Sequence, residues 1–276
     1  MKSGIVGLLA ETSLHPGTES TMGVVDLPVA RESATSFPFI AGSGLKGALR
    51  DMATQLWGEK DERIGRVFGF HNNAGSVAVT DARLLLLPVR SLTGHYKWIT
   101  CPYIIERYVR DRKMAGMPLN ITLPVVDKGK AITDGEGRIF LEELSFEIVN
   151  LNISGLINDV SVLIKHQSVK NRLSSQIVIL NDYDFAFFAA HGLQVNARNN
   201  LENGTKTSQN LWYEETIPSD SLFYSLLIER PGSNNSLTDI RSLFHSQPYI
   251  QVGGNETIGQ GWCAVSWFDG GGANGE

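Results

Sequence analysis

One carboxylate, Asp26, lies between the apolar residues Val25 and Leu27 in a long, mostly polar stretch at residues 13–36. The surroundings of such a group tune its pKa, so that it could act as a general base or as a metal ligand. A loop Asp also commonly caps a turn, and on the residues alone the cap is the better supported interpretation. The stretch therefore allows acid–base chemistry at Asp26 without requiring it.

The segment Gly42–Gly47 (GSGLKG) matches the G-x-G-x-x-G pattern of dinucleotide-binding loops. That function needs a buried strand before the glycines and an acidic residue at the end of a second strand. The preceding run, Phe37–Ile40, is broken by Pro38, and Asp61 lies in a polar run instead of after a strand. These features disfavour a dinucleotide site.

The same segment also opens a predicted helix at 43–57, with Ser43 as N-cap and Gly58 as its end. A helix N-terminus carries free N–H groups and partial positive charge, which favour a bound anion. Lys46 and Arg50 are one helical turn apart and share a face, so together they could hold a phosphate. The alternative is a capped helix with two solvated charges.

Two further segments carry residue types suited to nucleic acid. The glycine-rich run at 253–261 would let the backbone approach a ligand closely, although it could equally be a glycine-rich turn. The run at 211–215 (LWYEE) could place a base-stacking ring beside an acid–base pair, or be an ordinary strand with alternating faces.

Periodicity and turn residues predict the elements that must position these groups. A hairpin with polar arms is predicted at 194–218, with Asn203-Gly204 at its turn. Mixed short helices and strands indicate an α+β fold with an antiparallel sheet, and 13–36 and 114–137 are predicted as long loops. The other predicted strands are 3–12, 76–89, 138–149, 221–230 and two within 248–268; the other predicted helices are 102–113, 182–191 and 237–245.

Composition limits the kinds of partner. The chain has 276 residues and a formal net charge of −5, which argues against non-specific nucleic-acid binding but permits a local basic groove. Cys101 and Cys263 imply no disulfide framework, and the histidines show no zinc-ligand spacing. No segment is apolar for long enough to span a membrane, so we expect no membrane partner and a cytoplasmic protein.

Taken together and in order, five segments resemble the backbone subunit of the type III-B CRISPR effector, the Cmr complex, within the RAMP superfamily. The GSGLKGALR run and the C-terminal glycine-rich run are typical of RAMP proteins generally, whereas VVDLPVARE and LWYEE are similar to this subunit more narrowly. The five segments are HPGTESTMGVVDLPVARE (15–32), FPFIAGSGLKGALRD (37–51), WITCPYIIER (98–107), LWYEETIPSDSLFY (211–224) and YIQVGGNETIGQGWC (249–263).

This resemblance implies a single RAMP domain over 1–276: a modified ferredoxin-like, or RNA-recognition-motif, core with insertions near 114–137 and 194–217, the second a thumb-like β-hairpin. It implies copies of the chain stacked in a helical filament on a CRISPR guide RNA, beside other Cmr subunits. It also implies cleavage of complementary target RNA at regular intervals, with a divalent metal, Mg²⁺ or Mn²⁺, as cofactor.

The resemblance places the family's catalytic aspartate, and the metal contact, at Asp26. Further active-site residues are expected in the same segments: His15, Tyr213, Glu214 and Glu215. Contacts to RNA are expected from Arg31, Ser43, Gly44, Lys46, Arg50, Gly254, Gly259, Gln260 and Gly261.

Two other functions stay open at this point. An architectural subunit could coat RNA without cutting it, although a coat needs no carboxylate near the phosphate. A nucleotide-dependent enzyme could use the GSGLKG segment, in which case the isolated protein would bind a mononucleotide tightly.

Overall fold

The computed structural model describes residues 2–18 and 25–270. The helices are α1 (Gly42–Trp57), α2 (Glu62–Phe68), α3 (Pro102–Met114), α4 (Ser154–Ser161), α5 (Gln167–Gln176), α6 (Asp182–His191) and α7 (Ser236–Ser246). The first eight strands are β1 (Ser3–Ala10), β2 (Phe39–Ile40), β3 (Gly69–Phe70), β4 (Asn73–Ala74), β5 (Val77–Val79), β6 (Ala82–Arg90), β7 (Tyr96–Thr100) and β8 (Lys130–Ile132). The remaining strands are β9 (Arg138–Leu141), β10 (Leu144–Val149), β11 (Ile177–Leu180), β12 (Gln194–Leu201), β13 (Ser208–Thr216), β14 (Leu222–Glu229), β15 (Tyr249–Gln251) and β16 (Trp262–Phe268).

The centre of the molecule is an antiparallel group of strands in the order β16-β1-β14-β6. Along the chain these strands and two helices run β1-α1-β6, then β14-α7-β16, which is the β-α-β-β-α-β order of a ferredoxin-like unit. The helices α1 and α7 contact each other, and α7 packs on β14 and β16. The predicted α+β class is confirmed, and the helix α1 is placed directly after the 13–36 loop.

The strand β1 shows why the sequence folds this way. Its run of apolar residues is buried on both faces, because elements cover the sheet on both sides. At Gly7 a Cβ atom would lie 2.1 Å from the carbonyl oxygen of Leu163, so only glycine lets the segment after α4 cross the strand this closely.

The chain between β6 and β14 extends the sheet instead of forming only loops. β7, β11, β8, β10 and β9 continue it in that order, and two of their pairings, β11 with β7 and β10 with β8, are parallel. The sheet is therefore mixed, not purely antiparallel as predicted. The stretch predicted as one strand at 138–149 is the hairpin β9–β10, which turns at Glu142 with a φ of 48°.

The hairpin predicted at 194–218 is present as the ribbon β12–β13, which forms a sheet of its own. The turn that joins the two strands is longer than the predicted Asn203-Gly204 turn. It is closed by a hydrogen bond from the Glu202 N–H to the Thr207 carbonyl (2.9 Å). The arms are mostly polar, but alternation brings several exposed apolar side chains to one face. These are Val195, Leu201, Leu211 and Tyr213.

The helix α3 carries charged residues that contribute to the interior. Arg107 pairs with Glu32 (2.7 Å), and Arg112 pairs with Asp159. Both arginines are buried and paired, so part of the charge of this helix belongs to the interior of the protein. Over residues 2–18 and 25–270, no helix has the length and apolar character needed to cross a membrane.

Candidate functional site

The loop at 13–36 consists of two arms that lie side by side. Gly17 bridges to Val29, and the Ala30 N–H donates to the Pro16 carbonyl (2.7 Å). The outgoing arm also joins the end of the ribbon through a bridge between Leu14 and Ile217. Residues 19–24, within the segment that carries the resemblance, lie outside the described residues.

Asp26 lies on the returning arm, where it meets the base of the β12–β13 ribbon. The Tyr213 N–H donates to Asp26 Oδ2 (2.8 Å), and Leu27 forms a parallel bridge with Glu214. Among the described residues, no hydrogen bond is made to the second carboxylate oxygen of Asp26. The Tyr213 side chain is 45 % exposed. A partly exposed carboxylate and an exposed aromatic ring therefore lie on adjacent segments.

Glu215 and Arg31 together attach the returning arm to the ribbon. Glu215 accepts from the Val29 N–H (3.1 Å) and from Arg31 Nη2 (2.6 Å). Arg31 Nη1 also donates to the carbonyls of Ser36 (2.8 Å) and Ala189 (2.7 Å). Both side chains are occupied by protein partners, so the geometry makes Arg31 and Glu215 supports for Asp26 more than groups that face a ligand.

Glu214 points to the opposite side of the ribbon and is buried. Its carboxylate accepts a short hydrogen bond from Asn255 Nδ2 and lies 3.5 Å from Arg198 Nε. Asn255 also donates to Gln260 Oε1 (2.9 Å). Glu214 therefore joins the ribbon to the glycine-rich segment, with Gln260 as part of the connection.

His15 is buried between the ribbon and the glycine-rich segment, with 8 % of its surface exposed. Its Nδ1 is 2.8 Å from the Glu215 carbonyl oxygen. Gly17 and Gly254 lie against the ring: a Cβ atom would be 2.9 Å from Nε2 at Gly17 and 3.5 Å from Cδ2 at Gly254. The ring is thus enclosed, which makes it a packing and hydrogen-bonding residue in this arrangement.

The glycine-rich segment between β15 and β16 packs on the outgoing arm. The Gly254 N–H donates to the His15 carbonyl (2.9 Å), and the Gly261 N–H donates to the Ser13 carbonyl (3.0 Å). Gly261 has a φ of 92° and lies too close to the Val252 carbonyl for a Cβ atom, so the fold itself requires glycine at this position. Gly259, with a φ of 79°, faces open space and is free to approach a ligand.

The helix α1 begins one residue earlier than predicted. Its N-cap is Ala41, and the N–H of Gly42 donates to Asp81 Oδ1 (2.7 Å), so Ser43 is an exposed residue of the first turn and not the cap. Sequence could not show this, because Asp81 lies 39 residues away. Gly58, with a φ of 96°, ends the helix as predicted.

The exposed glycines of α1 line a groove of about 420 Å³ between this helix and the glycine-rich segment. A Cβ atom at Gly44 or Gly47 would meet no atom within 4 Å, so internal packing does not require glycine there. Glycine inside a helix is destabilising by about 0.5–1 kcal/mol relative to alanine. Close approach of a ligand backbone to α1 would explain both residues.

Lys46 and Arg50 lie on the other side of α1. Lys46 Nζ donates to the Val77 carbonyl (3.2 Å), and Arg50 Nη1 to the Gly69 carbonyl (3.4 Å). They share a face as predicted, but that face is opposite the groove. The two cations therefore lie on one side of α1 and the glycine-rich segment on the other. The dinucleotide alternative loses its basis, because β2 is two residues long and pairs antiparallel with β6.

Residues 2–18 and 25–270 contain no group of three His, Cys, Asp or Glu side chains that could hold a metal ion alone. Asp26 is a single carboxylate with one backbone donor. Magnesium is commonly held by one or two carboxylates, substrate phosphates and water, so Asp26 fits a shared site of that kind and no protein cage.

Three residues with a structural part in the site were not found from the sequence. Asn255 and Arg198 hold Glu214, and Asp81 caps α1. Each acts on a residue far away in the chain. The one available signal was an Asn directly after two glycines, which fits its φ of 66°.

The chain was compared with known proteins. The sequence pattern of the RAMP superfamily matches residues 8–264. The CRISPR system Cmr endoribonuclease Cmr4 of Pyrococcus furiosus is 34 % identical, and the match covers 96 % of each chain.

Solved structures share the fold. The crystal structure of oligomeric Cmr4 from Pyrococcus furiosus has a TM-score of 0.80 at 29 % identity, covering 98 % of each chain. A chain in the structure of the type III-B Cmr-beta complex bound to cognate target RNA has a TM-score of 0.78 at 21 % identity, covering 97 % of each chain. At 21 % identity, the similarity to the Cmr-beta chain shows a shared fold and no more. The extent of the match to the superfamily and to the Pyrococcus relative shows that this chain belongs to the RAMP superfamily and, within it, to the Cmr4 family.

Proposed function

We propose that the chain is the guide-RNA-binding backbone subunit of a type III-B CRISPR ribonucleoprotein, and that it cleaves complementary target RNA at regular intervals. The relative in Pyrococcus furiosus is named an endoribonuclease and forms an oligomer. Copies of this chain would stack along one guide RNA together with other Cmr subunits. One cut per copy would then give evenly spaced products.

The observation that carries this proposal is the placement of Asp26. Its carboxylate is fixed by the Tyr213 N–H at the junction of the loop and the projecting ribbon, beside an exposed ring. RNA supplies its own nucleophile, the 2′-hydroxyl, so the protein needs no Ser or Cys nucleophile. What it must supply is in-line positioning and help with deprotonation.

In this mechanism Asp26 accepts the proton of the 2′-hydroxyl, directly or through water. The 2′-oxygen attacks the adjacent phosphorus, and the bond from phosphorus to the 5′-oxygen breaks. The departing 5′-oxygen takes a proton from water, and the products are a 2′,3′-cyclic phosphate and a 5′-hydroxyl. Glu215 holds the arm that carries Asp26 against the ribbon, and Glu214 holds the ribbon against the glycine-rich segment. The exposed ring of Tyr213 is available for a base to stack on.

The proposal includes a divalent cation, Mg²⁺ or Mn²⁺, which Asp26 would hold together with the RNA. When bound, such an ion stabilises negative charge at the phosphate. The groove of about 420 Å³ along Gly44 and Gly47 would receive guide RNA; Ser43 and Gly259 are exposed but do not line it.

One observation favours the alternative of an architectural subunit that does not cut. The hydrogen bond from the Tyr213 N–H to Asp26 Oδ2 is also what a purely structural Asp would make. Asp26→Asn distinguishes the two functions, because the Asn side-chain oxygen still accepts that N–H while the charge is lost.

The test uses the complex assembled with guide RNA and end-labelled complementary target. We expect Asp26→Asn to reduce cleavage by roughly a hundred- to ten-thousand-fold, the usual effect of losing a general base, with guide and target binding unchanged. Asp127→Asn is the matched control, because Asp127 is exposed and forms an ion pair with Lys130, three residues away along the chain. Full cleavage by Asp26→Asn, or a product with a 5′-phosphate, would contradict the mechanism.

A further inference from the structure

A second cavity, of about 560 Å³, lies on the side of α1 away from the glycine groove. Lys46 lines it together with the β3–β4 hairpin and with Arg230, the residue after β14. None of the residues of this hairpin was expected to bind RNA from the sequence. The cavity is open to solvent and combines cations with an aromatic ring.

Two cations, Lys46 and Arg230, line this cavity, and Arg50 is close enough to act on the charge of Lys46. Lys46 Nζ donates to the Val77 carbonyl (3.2 Å), Arg50 Nη1 to the Gly69 carbonyl (3.4 Å) and Arg230 Nη1 to the Gly75 carbonyl (3.2 Å). In the part of the chain that the structure describes, none of the three forms an ion pair with a carboxylate.

The charges of these groups act on one another. Burial, Arg230 and Arg50, in that order, lower the pKa of Lys46 below its usual value. Each group keeps N–H donors beyond those used on main-chain carbonyls. A bound anion would relieve the repulsion and accept those donors.

The ring of Phe70 gives the cavity a second kind of contact. Phe70 ends β3, is 63 % exposed and lines the cavity. One side of its ring rests on α2 at Gly65, where a Cβ atom would be only 1.8 Å from the ring. Gly65 therefore allows the ring to lie on the helix with its remaining surface toward solvent.

We propose that Phe70, Lys46, Arg50 and Arg230 form a subsite for one nucleotide of single-stranded RNA. The base stacks on Phe70, the adjoining phosphate accepts hydrogen bonds from Lys46 and Arg230, and Arg50 adds positive charge beside them. An exposed ring beside unpaired cations suits a ligand that carries both a flat aromatic group and an anion. A bare phosphate or an acidic side chain would leave the ring unused. This subsite rests on the proposed RNA-binding function and assigns it a position outside the glycine groove.

The test measures binding of the full chain to two probes of equal length by fluorescence anisotropy. One probe is a labelled single-stranded RNA, and the other is a ribose-phosphate oligomer without bases. Phe70→Leu keeps an apolar side chain over Gly65 but removes the ring, and Arg230→Gln removes one charge. The controls are Tyr183→Leu, another exposed ring, and Arg110→Gln, an exposed cation on α3.

We expect Phe70→Leu to weaken RNA binding by roughly 5- to 150-fold, the range for loss of one stacked base, without weakening binding of the base-free oligomer. Arg230→Gln should weaken binding of both probes and reduce the salt dependence by about 0.7 units, as for one phosphate contact on a single strand. Both controls should bind like the wild type. Thermal unfolding close to that of the wild type will show that the variants are folded.

Two results would overturn the subsite while leaving the proposed function intact. One is wild-type RNA affinity for both Phe70→Leu and Arg230→Gln, and the other is an equal loss by Phe70→Leu on both probes. If the wild-type chain binds neither probe, the RNA-binding function itself fails and the subsite fails with it.

Discussion

Replacing Glu215 by Gln tests how the loop that carries Asp26 is held in place. The two oxygens of Glu215 accept separately from the Val29 N–H and from Arg31 Nη2. Gln has the same size but only one acceptor oxygen, so one of these bonds is lost and a donor faces a donor. Arg31 also loses its partner charge.

The magnitude follows from burial. The side chain of Glu215 is 10 % exposed and that of Arg31 is 21 % exposed, so solvent screens this pair only partly. A hydrogen bond to a charged group contributes roughly 1.5–3 kcal/mol. We therefore expect the free energy of unfolding to fall by about 2 kcal/mol, which corresponds to a Tm lower by about 4–8 °C for a chain of this size.

Cleavage should fall as well, because Asp26 would be held less accurately. A displacement of about 1 Å can reduce a rate by about a hundredfold, so we expect a loss of about ten- to a hundredfold in kcat within the assembled complex. Since Glu215 does not transfer the proton in this account, the pH profile of the remaining activity should keep its shape. Target affinity should also be unchanged.

A double-mutant cycle with Arg31→Met makes the test specific. If the pair acts as one connection, the free energy of unfolding should fall less in the double variant than the sum of the falls in the two single variants. The coupling energy should be about 0.5–3 kcal/mol. Arg110→Gln is the control, because its pair with Glu106 is exposed on both sides and should contribute little. Wild-type Tm and wild-type cleavage in Glu215→Gln would refute the connection, and an altered pH profile would make Glu215 a proton-transfer group instead.

Three further predictions follow from other parts of the molecule. Deleting residues 199–207 should leave the Tm within a few degrees of wild type, since the arms are exposed, but should blur the spacing of target products on a sequencing gel; an unfolded variant would place the ribbon in the core. Removing divalent cations with a chelator should stop cleavage in the assembled complex while guide binding persists, and undiminished cleavage would exclude the ion from the reaction. Burial raises the pKa of the Cys101 and Cys263 thiols, so neither should react with iodoacetamide at pH 8 until denaturant is added; rapid labelling, read by mass spectrometry, would contradict their burial.

The sequence predicted local elements well where the signal was local. The helix α3, opened by Pro102, and the ribbon, marked by Asn203-Gly204, both form where turn and cap residues indicated. It missed the turn at Glu142 inside 138–149, because a non-glycine residue with positive φ leaves little trace in composition. The parallel pairs of β11 and β10 also gave no signal, since they join segments with no shared local pattern.

The sequence indicated which segments meet at the candidate site but not how their side chains contact one another. The segments with Asp26 and Tyr213 do meet, as the resemblance implied. Sequence placed Glu215 and Arg31 at the site without showing that they bind each other across 184 positions. The same holds for Lys46, whose neighbour Arg230 comes close only because β14 ends beside α1. Such contacts depend on the completed fold, which single-sequence patterns do not encode.

The alternation of faces along the β12–β13 ribbon fixes how its length can change. Removing one residue from each strand would turn everything beyond the deletion to the opposite face, so that Leu201 would point where Asn200 now points. Removing two from each, Asn199-Asn200 with Asn210-Leu211, would keep the remaining residues on their original faces and draw the tip back by about 7 Å. The ribbon is therefore adjustable only in steps of about 7 Å, and an engineered or diverged subunit whose ribbon has a different length should differ from this one by whole steps.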